Sequence, residues 1–541
     1  MESYLLNHLI ERSAEKMSHH IALKLHNEEM TYEGLLEMQD RFACGLLESG
    51  AERGSRIGIF LNKTFETIAA AFGSAKAGCA FVPINPVLKP SQVEHILKDC
   101  NVRVLVTSPE RFSTLSQVLK NCFDLKMIVI VGDFNRIYPM EQRLKVISWD
   151  QFTSAPRNIS PRLTELDMAA ILYTSGSTGM PKGVVLSHKN LVVGAKSVAG
   201  YLENHSQDKI LAVLPLSFDA GFSQLTTAFH VGAQAVLLDY LMPNEVTKII
   251  SKEKITGLTA VPPLWIQLAE QKWDANVSEH LRYIANTGGK MPREVLARLR
   301  KQLPKTKPFL MYGLTEAFRS TYLPPEEVDR RPDSIGKAIP NAEVMVLRQD
   351  GSHCDVNEPG ELVHRGPLVT MGYWNDAQKT AERFKLLPNQ PDGVVFKEHA
   401  VFSGDTVKVD AEGYLYFIGR KDEMIKTSGY RVSPVEVEET IYAADLVCEV
   451  AAFGAEHPNL GQAIIVAIVP KAGESITKSE VLESCRKNLP TYMVPSHVEI
   501  FSHPLPRNPN GKIDRKSLAT AFADSFIKPQ HKAISPLAMV S

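Results

Sequence analysis

The chain has 541 residues, 60 Lys+Arg against 61 Asp+Glu and a formal net charge of -1. At about 150 residues per domain the length corresponds to roughly three to four domain-sized units. A content of 44% hydrophobic and 22% charged residues is that of a soluble globular protein, and it excludes disorder, collagen and coiled coil. The balanced charge argues against a nucleic-acid binder, and no apolar run is long enough for a transmembrane segment. Seven scattered cysteines without a CxxC pair, and a start (MESYLLNHLIERS) without signal-peptide features, place the chain in a reducing cytoplasmic setting.

In chain order, short apolar runs predict strands at Arg56 to Leu61, Arg103 to Thr107, Met127 to Val131, Met168 to Leu172, Ile210 to Leu214, Ala235 to Leu238 and Tyr283 to Ala285. Amphipathic stretches alternate with them, which predicts an α/β architecture with largely parallel sheets. Beyond Arg420 the pattern shortens: a helix around Val435 to Ala443, a strand at Ala463 to Val469 and a helix near Ser479 to Asn488 predict a small α+β domain. The tail after about Thr520 has no clear periodicity and is expected to be loosely ordered.

Tyr173 to Gly183, YTSGSTGMPKG, places three glycines and four Ser/Thr hydroxyls within eleven residues. Glycines let backbone N–H groups close on an anion. Thr174, Ser175, Ser177 and Thr178 add hydroxyl donors, Gly176 and Gly179 add freedom, and Lys182 adds charge; the chemistry suits a polyphosphate. It is not a Walker loop, because the second glycine of that motif falls on Pro181 and no Ser/Thr follows Lys182. Further along come NTGGK (286–290), YGLTE (312–316), GELVHRGPLVTMG (360–372), SGDT (403–406), GRKDEMIKTSGYRV (419–432) and NPNGKIDRK (508–516).

These segments, in this order, resemble the adenylate-forming superfamily of acyl-CoA synthetases, nonribosomal-peptide adenylation domains and luciferases. The resemblance covers about residues 10 to 518. It implies a large N-terminal domain of stacked mixed sheets with helices over 1–421, a small mobile α+β domain over 422–520 and a tail over 521–541. It also implies roles. Tyr312 stacks on adenine, Thr315 bonds the α-phosphate, Glu316 holds Mg²⁺ and Gly288 and Gly289 line the adenine and acyl pocket. Asp405 accepts from both ribose hydroxyls, Arg420 contacts ribose or phosphate, Asp422 is the hinge, Gly429 faces a pantetheine tunnel and Lys512 is catalytic. The residue types agree: an aromatic face stacks, and a carboxylate is a hard ligand for Mg²⁺. Segment 360–372 reads as structural support for the nucleotide site.

The implied reaction is attack of a carboxylate on the α-phosphate of ATP, then transfer of the acyl group to a thiol. In LPLSFDAGF (214–222), Phe218 followed by Asp219 matches amino-acid-activating domains, whose aspartate binds the substrate ammonium. The alternative for Asp219 is a helix N-terminal residue. The pocket carried over by resemblance comprises Asp219, Ala220, Ser223, Ala260, Ala285, Thr287, Met311, Arg319, Ser320 and Lys512. Arg319 would suit a second carboxylate or other acceptor on the substrate, or else point to solvent. No carrier or condensation domain and no LGxDS motif is visible. A stand-alone activator is therefore expected, whose acceptor is CoA or the phosphopantetheine of a separate carrier protein. The rival within the family is a fatty or aryl acid–CoA ligase; a luciferase-type oxygenase and a non-catalytic nucleotide binder are more remote.

Overall fold

The computed structural model describes residues 2–133, 143–156, 161–174, 181–420, 423–427, 430–457, 460–471, 473–508 and 511–526. Among them a seven-stranded sheet runs in the order Lys145–Ser148, Met127–Ile130, Val102–Thr107, Arg56–Phe60, Ala80–Pro83, Met168–Thr174, Lys182–Ser187. Its neighbours are parallel except the last pair. Runs such as MIVI (127–130) and AFVP (80–83) are apolar on both faces and wholly buried, as strands covered on both sides require.

A second, 14-stranded sheet has a parallel centre: Lys307–Tyr312, Tyr283–Asn286, Gly257–Ala260, Lys209–Ala212, Gln234–Leu237 and then Ile21–Leu25. Helix Phe65–Lys76 is started by Thr64, whose side chain accepts from the Thr67 N–H, and it is buried on nearly all sides. Such a helix belongs inside, between layers. Its Phe72 ring stacks 5.7 Å from Phe222 of helix Asp219–Val231, and Phe222 lies 4.8 Å from Phe81 of the first sheet. One continuous core joins Ile57 and Ala170 of one sheet to Ala212 and Ala235 of the other through these helices. Truncating Phe222 to alanine there would cost about 3–5 kcal/mol.

Residues Ile425 to Ile500 build a third, five-stranded sheet with cores on both faces. The run Ala463 to Val469 lies in strand Gly461–Pro470, and its period of two divides it. Ile464, Val466 and Ile468 meet Val437, Ile441 and Cys485 of helices Pro434–Ala443 and Lys478–Asn488, while Ile465 and Ala467 share the opposite core with Leu505 and Leu518.

Two expectations are corrected. The sheets are not largely parallel throughout: from Thr321 to Arg420 the strands pair antiparallel. The connection between Val409 and Leu415 is too short for a crossover; it is a turn in which Asp410 Oδ1 accepts from the N–H groups of Glu412 and Tyr414. Nor is the start of the tail loose, because Phe522 and Phe526 pack against the Ile465 face. Residues 527–541 lie outside the described set. No helix among the described residues is long and apolar enough to cross a membrane.

Candidate active site

The glycine-rich loop joins two antiparallel strands, with Thr174 paired to Lys182, so a strand intervenes between it and helix His188–Tyr201. Ser175, Gly176, Ser177, Thr178 and Gly179 lie outside the described residues. Lys182 stands 5.6 Å above the ring of Tyr373, and burial, then the nearby Lys379 charge, lowers its pKa. The Tyr373 hydroxyl donates to Glu316 Oε1 at 2.6 Å. The segment 366–374 is sewn to both: Met371 N donates to Val185 O at 2.9 Å, Trp374 N to Gly183 O at 2.7 Å and Thr370 N to Glu316 O at 3.0 Å. Thr315 is buried beside Glu316 in the single turn Thr315–Ala317.

Glu316 is a single carboxylate, and no cluster of three or more metal-ligating side chains occurs among the described residues. That fits Mg²⁺, which takes one or two carboxylates and completes its shell with phosphate oxygens and water.

Strands His399–Val409 and Leu415–Arg420 place Asp405 opposite Arg420. Arg420 Nε approaches Asp405 Oδ1 at 3.6 Å, and the Tyr312 hydroxyl donates a short hydrogen bond to Asp405 Oδ2. Oδ1 is buried without a hydrogen bond. Such an atom costs free energy until a donor reaches it, and a ribose hydroxyl is a suitable donor. Burial raises the Asp405 pKa, against the opposing pull of Arg420. With Oδ2 engaged by Tyr312, Oδ1 is the carboxylate oxygen left without a hydrogen-bond partner.

Lys512 reaches the same cleft from the third sheet's side of the chain. A methyl placed on Gly288 would lie 3.5 Å from Lys512 Cε and 3.2 Å from Val261. Gly288 has φ +77°, a conformation that disfavours side chains. Lys512 remains exposed to solvent while protein crowds around it, as in an open cleft; this crowding lowers its pKa, and Asp219 is the strongest opposing charge. Thr287 is buried, and the Asn286 amide fixes the turn by donating to Gly289 O at 2.8 Å. Lys290 of the same turn forms ion pairs with Asp333 and, across to helix Pro434–Ala443, with Glu439.

Phe218 precedes helix Asp219–Val231, and Asp219 begins it. Arg319 does not point to solvent: its side chain is 4% exposed, that of Asp219 7%, and Arg319 Nη1 lies 3.8 Å from Asp219 Oδ2. Asp219 Oδ1 accepts from Ala220 N at 2.8 Å, so the helix N-terminal reading accounts for that oxygen alone. Ala220, Ser223, Ala260, Ala285, Met311 and Ser320 are buried. Met311 Sδ accepts from the Tyr201 hydroxyl at 2.9 Å, and His364 Nδ1 lies 3.0 Å from Ser320 Oγ.

The structure therefore brings together Lys182, Tyr373 and Glu316; Tyr312, Asp405 and Arg420; Lys512 and Gly288; and Asp219 and Arg319. Asp422 and Gly429 lie outside the described residues. Sequence reasoning passed over Tyr373 and Lys290. Tyr373 directly follows the segment 360–372 read as support only, and nothing in its sequence context announces that its hydroxyl reaches Glu316.

The sequence matches the AMP-binding enzyme family over residues 10–374 and that family's C-terminal domain over 436–512. The chain belongs to this family, the adenylate-forming superfamily; its class is that of AMP-forming ligases. Among curated proteins it is 28% identical over 516 residues to gramicidin S synthase 2 of Brevibacillus brevis, covering 94% of this chain but only 11% of that protein. It is also 28% identical over 543 residues to a long-chain-fatty-acid–CoA ligase of Escherichia coli O157:H7, covering 94% of this chain and 93% of the other. Among solved structures, an anthranilate CoA ligase in complex with anthranoyl-AMP superposes with a TM-score of 0.85 at 25% identity, covering 96% and 97% of the two chains.

Proposed function

We propose that this chain activates an amino-acid-like carboxylic acid with ATP and passes it to the phosphopantetheine thiol of a carrier protein. In the first half-reaction a carboxylate oxygen of the acid forms a bond to the α-phosphorus of ATP. The bond from that phosphorus to the bridging oxygen breaks, and pyrophosphate leaves with the electron pair. In the second, the thiol sulfur attacks the acyl carbon, its proton is lost, and the C–O bond to AMP breaks.

The observation that carries the reading is Lys512 standing against Gly288, with the buried Asp219 the main charge favouring its protonated form. Negative charge accumulates at the α-phosphate, so positioning and electrostatic stabilisation are what the protein must supply. Lys512 holds the attacking carboxylate and phosphate oxygens, Lys182 and the loop 175–180 hold the β- and γ-phosphates, Thr315 orients the α-phosphate and Asp405 orients the ribose. Glu316 would hold Mg²⁺, which when bound would neutralise phosphate charge. Asp219 receives the substrate ammonium. The chain from about residue 422 onward turns about Asp422 between half-reactions, withdrawing Lys512 and presenting Gly429 to the thiol.

The second reading, a fatty or aryl acid–CoA ligase, is favoured by the full-length likeness to such ligases. The buried Arg319–Asp219 pair speaks against a long alkyl chain, because hydrocarbon packed against it offers neither charge a hydrogen-bond partner. ATP–pyrophosphate exchange over amino, aryl and fatty acids tests the proposal, followed by offering CoA and carrier proteins to the adenylate. Exchange confined to fatty or aryl acids, with CoA as acceptor, would establish the second reading instead.

A further inference from the structure

Arg319 is buried to the level of a core side chain, yet its guanidinium makes no hydrogen bond among the described residues, and its Nε is sealed from solvent. Asp219, its one ion-pair neighbour among the described residues, is 3.8 Å away, too far for a hydrogen bond. The guanidinium also lies 5.9 Å from the Phe318 ring centre, which offers it no acceptor lone pair. The backbone of Arg319 is held: Arg319 N donates to Ala317 O at 2.6 Å, Ser320 N donates to Tyr312 O at 3.2 Å, and a Cβ on Gly313 would lie a tight 3.2 Å from Arg319 Cα. A buried cation with unspent donors is costly unless something else supplies acceptors.

We infer that the missing partner is part of the substrate: the acyl site takes an α-amino acid that carries a second carboxylate on its side chain, bound by Arg319. The inference rests on the reading of Asp219 as the ammonium site. Once an ammonium settles on Asp219, it competes with Arg319 for that carboxylate and leaves two cations sharing one buried anion. A second substrate carboxylate restores the balance and fills the guanidinium fork bidentately. Lys512, Asp219 and Arg319 then present charges of alternating sign to the α-carboxylate, the ammonium and the side-chain carboxylate.

The test is ATP–pyrophosphate exchange by the full chain with glutamate against glutamine, aspartate against asparagine, and leucine, repeated with Arg319→Met. The expected result is that at least one acidic amino acid exceeds its own amide by tenfold or more in kcat/KM, and that Arg319→Met collapses this ratio to about one or below. Retained ATP binding by calorimetry shows that the variant is folded; if it does not fold, the wild-type ratio decides. Exchange with amino acids but with amides or leucine preferred overturns this inference and leaves the amino-acid reading intact. An unchanged ratio in Arg319→Met also overturns it. Exchange with aryl or fatty acids alone, or with no acid, overturns the amino-acid reading and this inference with it.

Discussion

The hydroxyl of Tyr373 donates to Glu316 Oε1 at 2.6 Å while its ring lies 5.6 Å beneath Lys182. One side chain thus links the cation at the root of the phosphate loop to the carboxylate proposed to hold Mg²⁺. The backbone around it is bonded to the strand after the loop and to Glu316, so neither group can shift without the other.

Tyr373→Phe keeps the ring under Lys182 and removes the hydrogen bond that orients Glu316. Outer-sphere partners of metal ligands are typically worth 10–100-fold in affinity or activity. The variant is expected to need about tenfold more Mg²⁺ for half-maximal pyrophosphate exchange, with acyl transfer from a supplied adenylate little altered. A Mg²⁺ titration checks this.

Lys512→Ala is expected to lower adenylation by about a hundredfold or more, the cost of removing one preorganised electrostatic group. Thiol transfer from a supplied acyl-adenylate should largely survive, since the proposed rotation withdraws Lys512 for that step. Equal loss of both would contradict the proposed role. The wild-type adenylation rate needs the protonated amine. Because crowding lowers the Lys512 pKa, this rate should fall with rising pH below the range in which a free lysine titrates, and the thiol-transfer profile should lack that limb.

Gly288→Ala puts a side chain on a backbone at φ +77°, costing roughly 1–2 kcal/mol. The new methyl would also touch Val261 and crowd Lys512. A modest drop in melting temperature with a much larger drop in exchange rate is expected; thermal melts and exchange assays on one preparation separate the two.

Away from the site, the fully buried Asp208 accepts from Arg282 Nε at 2.9 Å and Nη2 at 2.6 Å, and from Asn204, His205 and Thr256. Burial alone would raise its pKa, but Arg282 and the other donors hold it below the usual carboxylate value. Its stabilising contribution is therefore complete above about pH 4 and is lost as pH falls towards the depressed value. Asp208→Ala should cost about 3 kcal/mol at neutral pH, with the gap to wild type narrowing in denaturant melts below about pH 4.

Much of the fold was legible because it rests on local pattern. The strand predicted at Arg56 to Leu61 forms as Arg56–Phe60, the run Ala463 to Val469 sits in Gly461–Pro470, and the helix near Ser479 to Asn488 forms as Lys478–Asn488. Each is an apolar run or amphipathic period with its own boundary signals. The antiparallel region from Thr321 to Arg420 was not legible, since pairing direction depends on connection geometry and on partners distant in sequence.

The sequence by itself determined the family and the order along the chain of the segments proposed to handle the nucleotide, because the chemistry proposed for a glycine-rich loop, a carboxylate and a projecting lysine is carried by residue identity. Only the tertiary structure decided which side chains meet: that Tyr312 occupies one oxygen of Asp405, that Tyr373 holds Glu316, and that Arg319 turns inward beside Asp219. Those pairs join residues 57 to 100 positions apart. Their contact follows from the tertiary arrangement of strands and loops distant in sequence, and no local pattern encodes it.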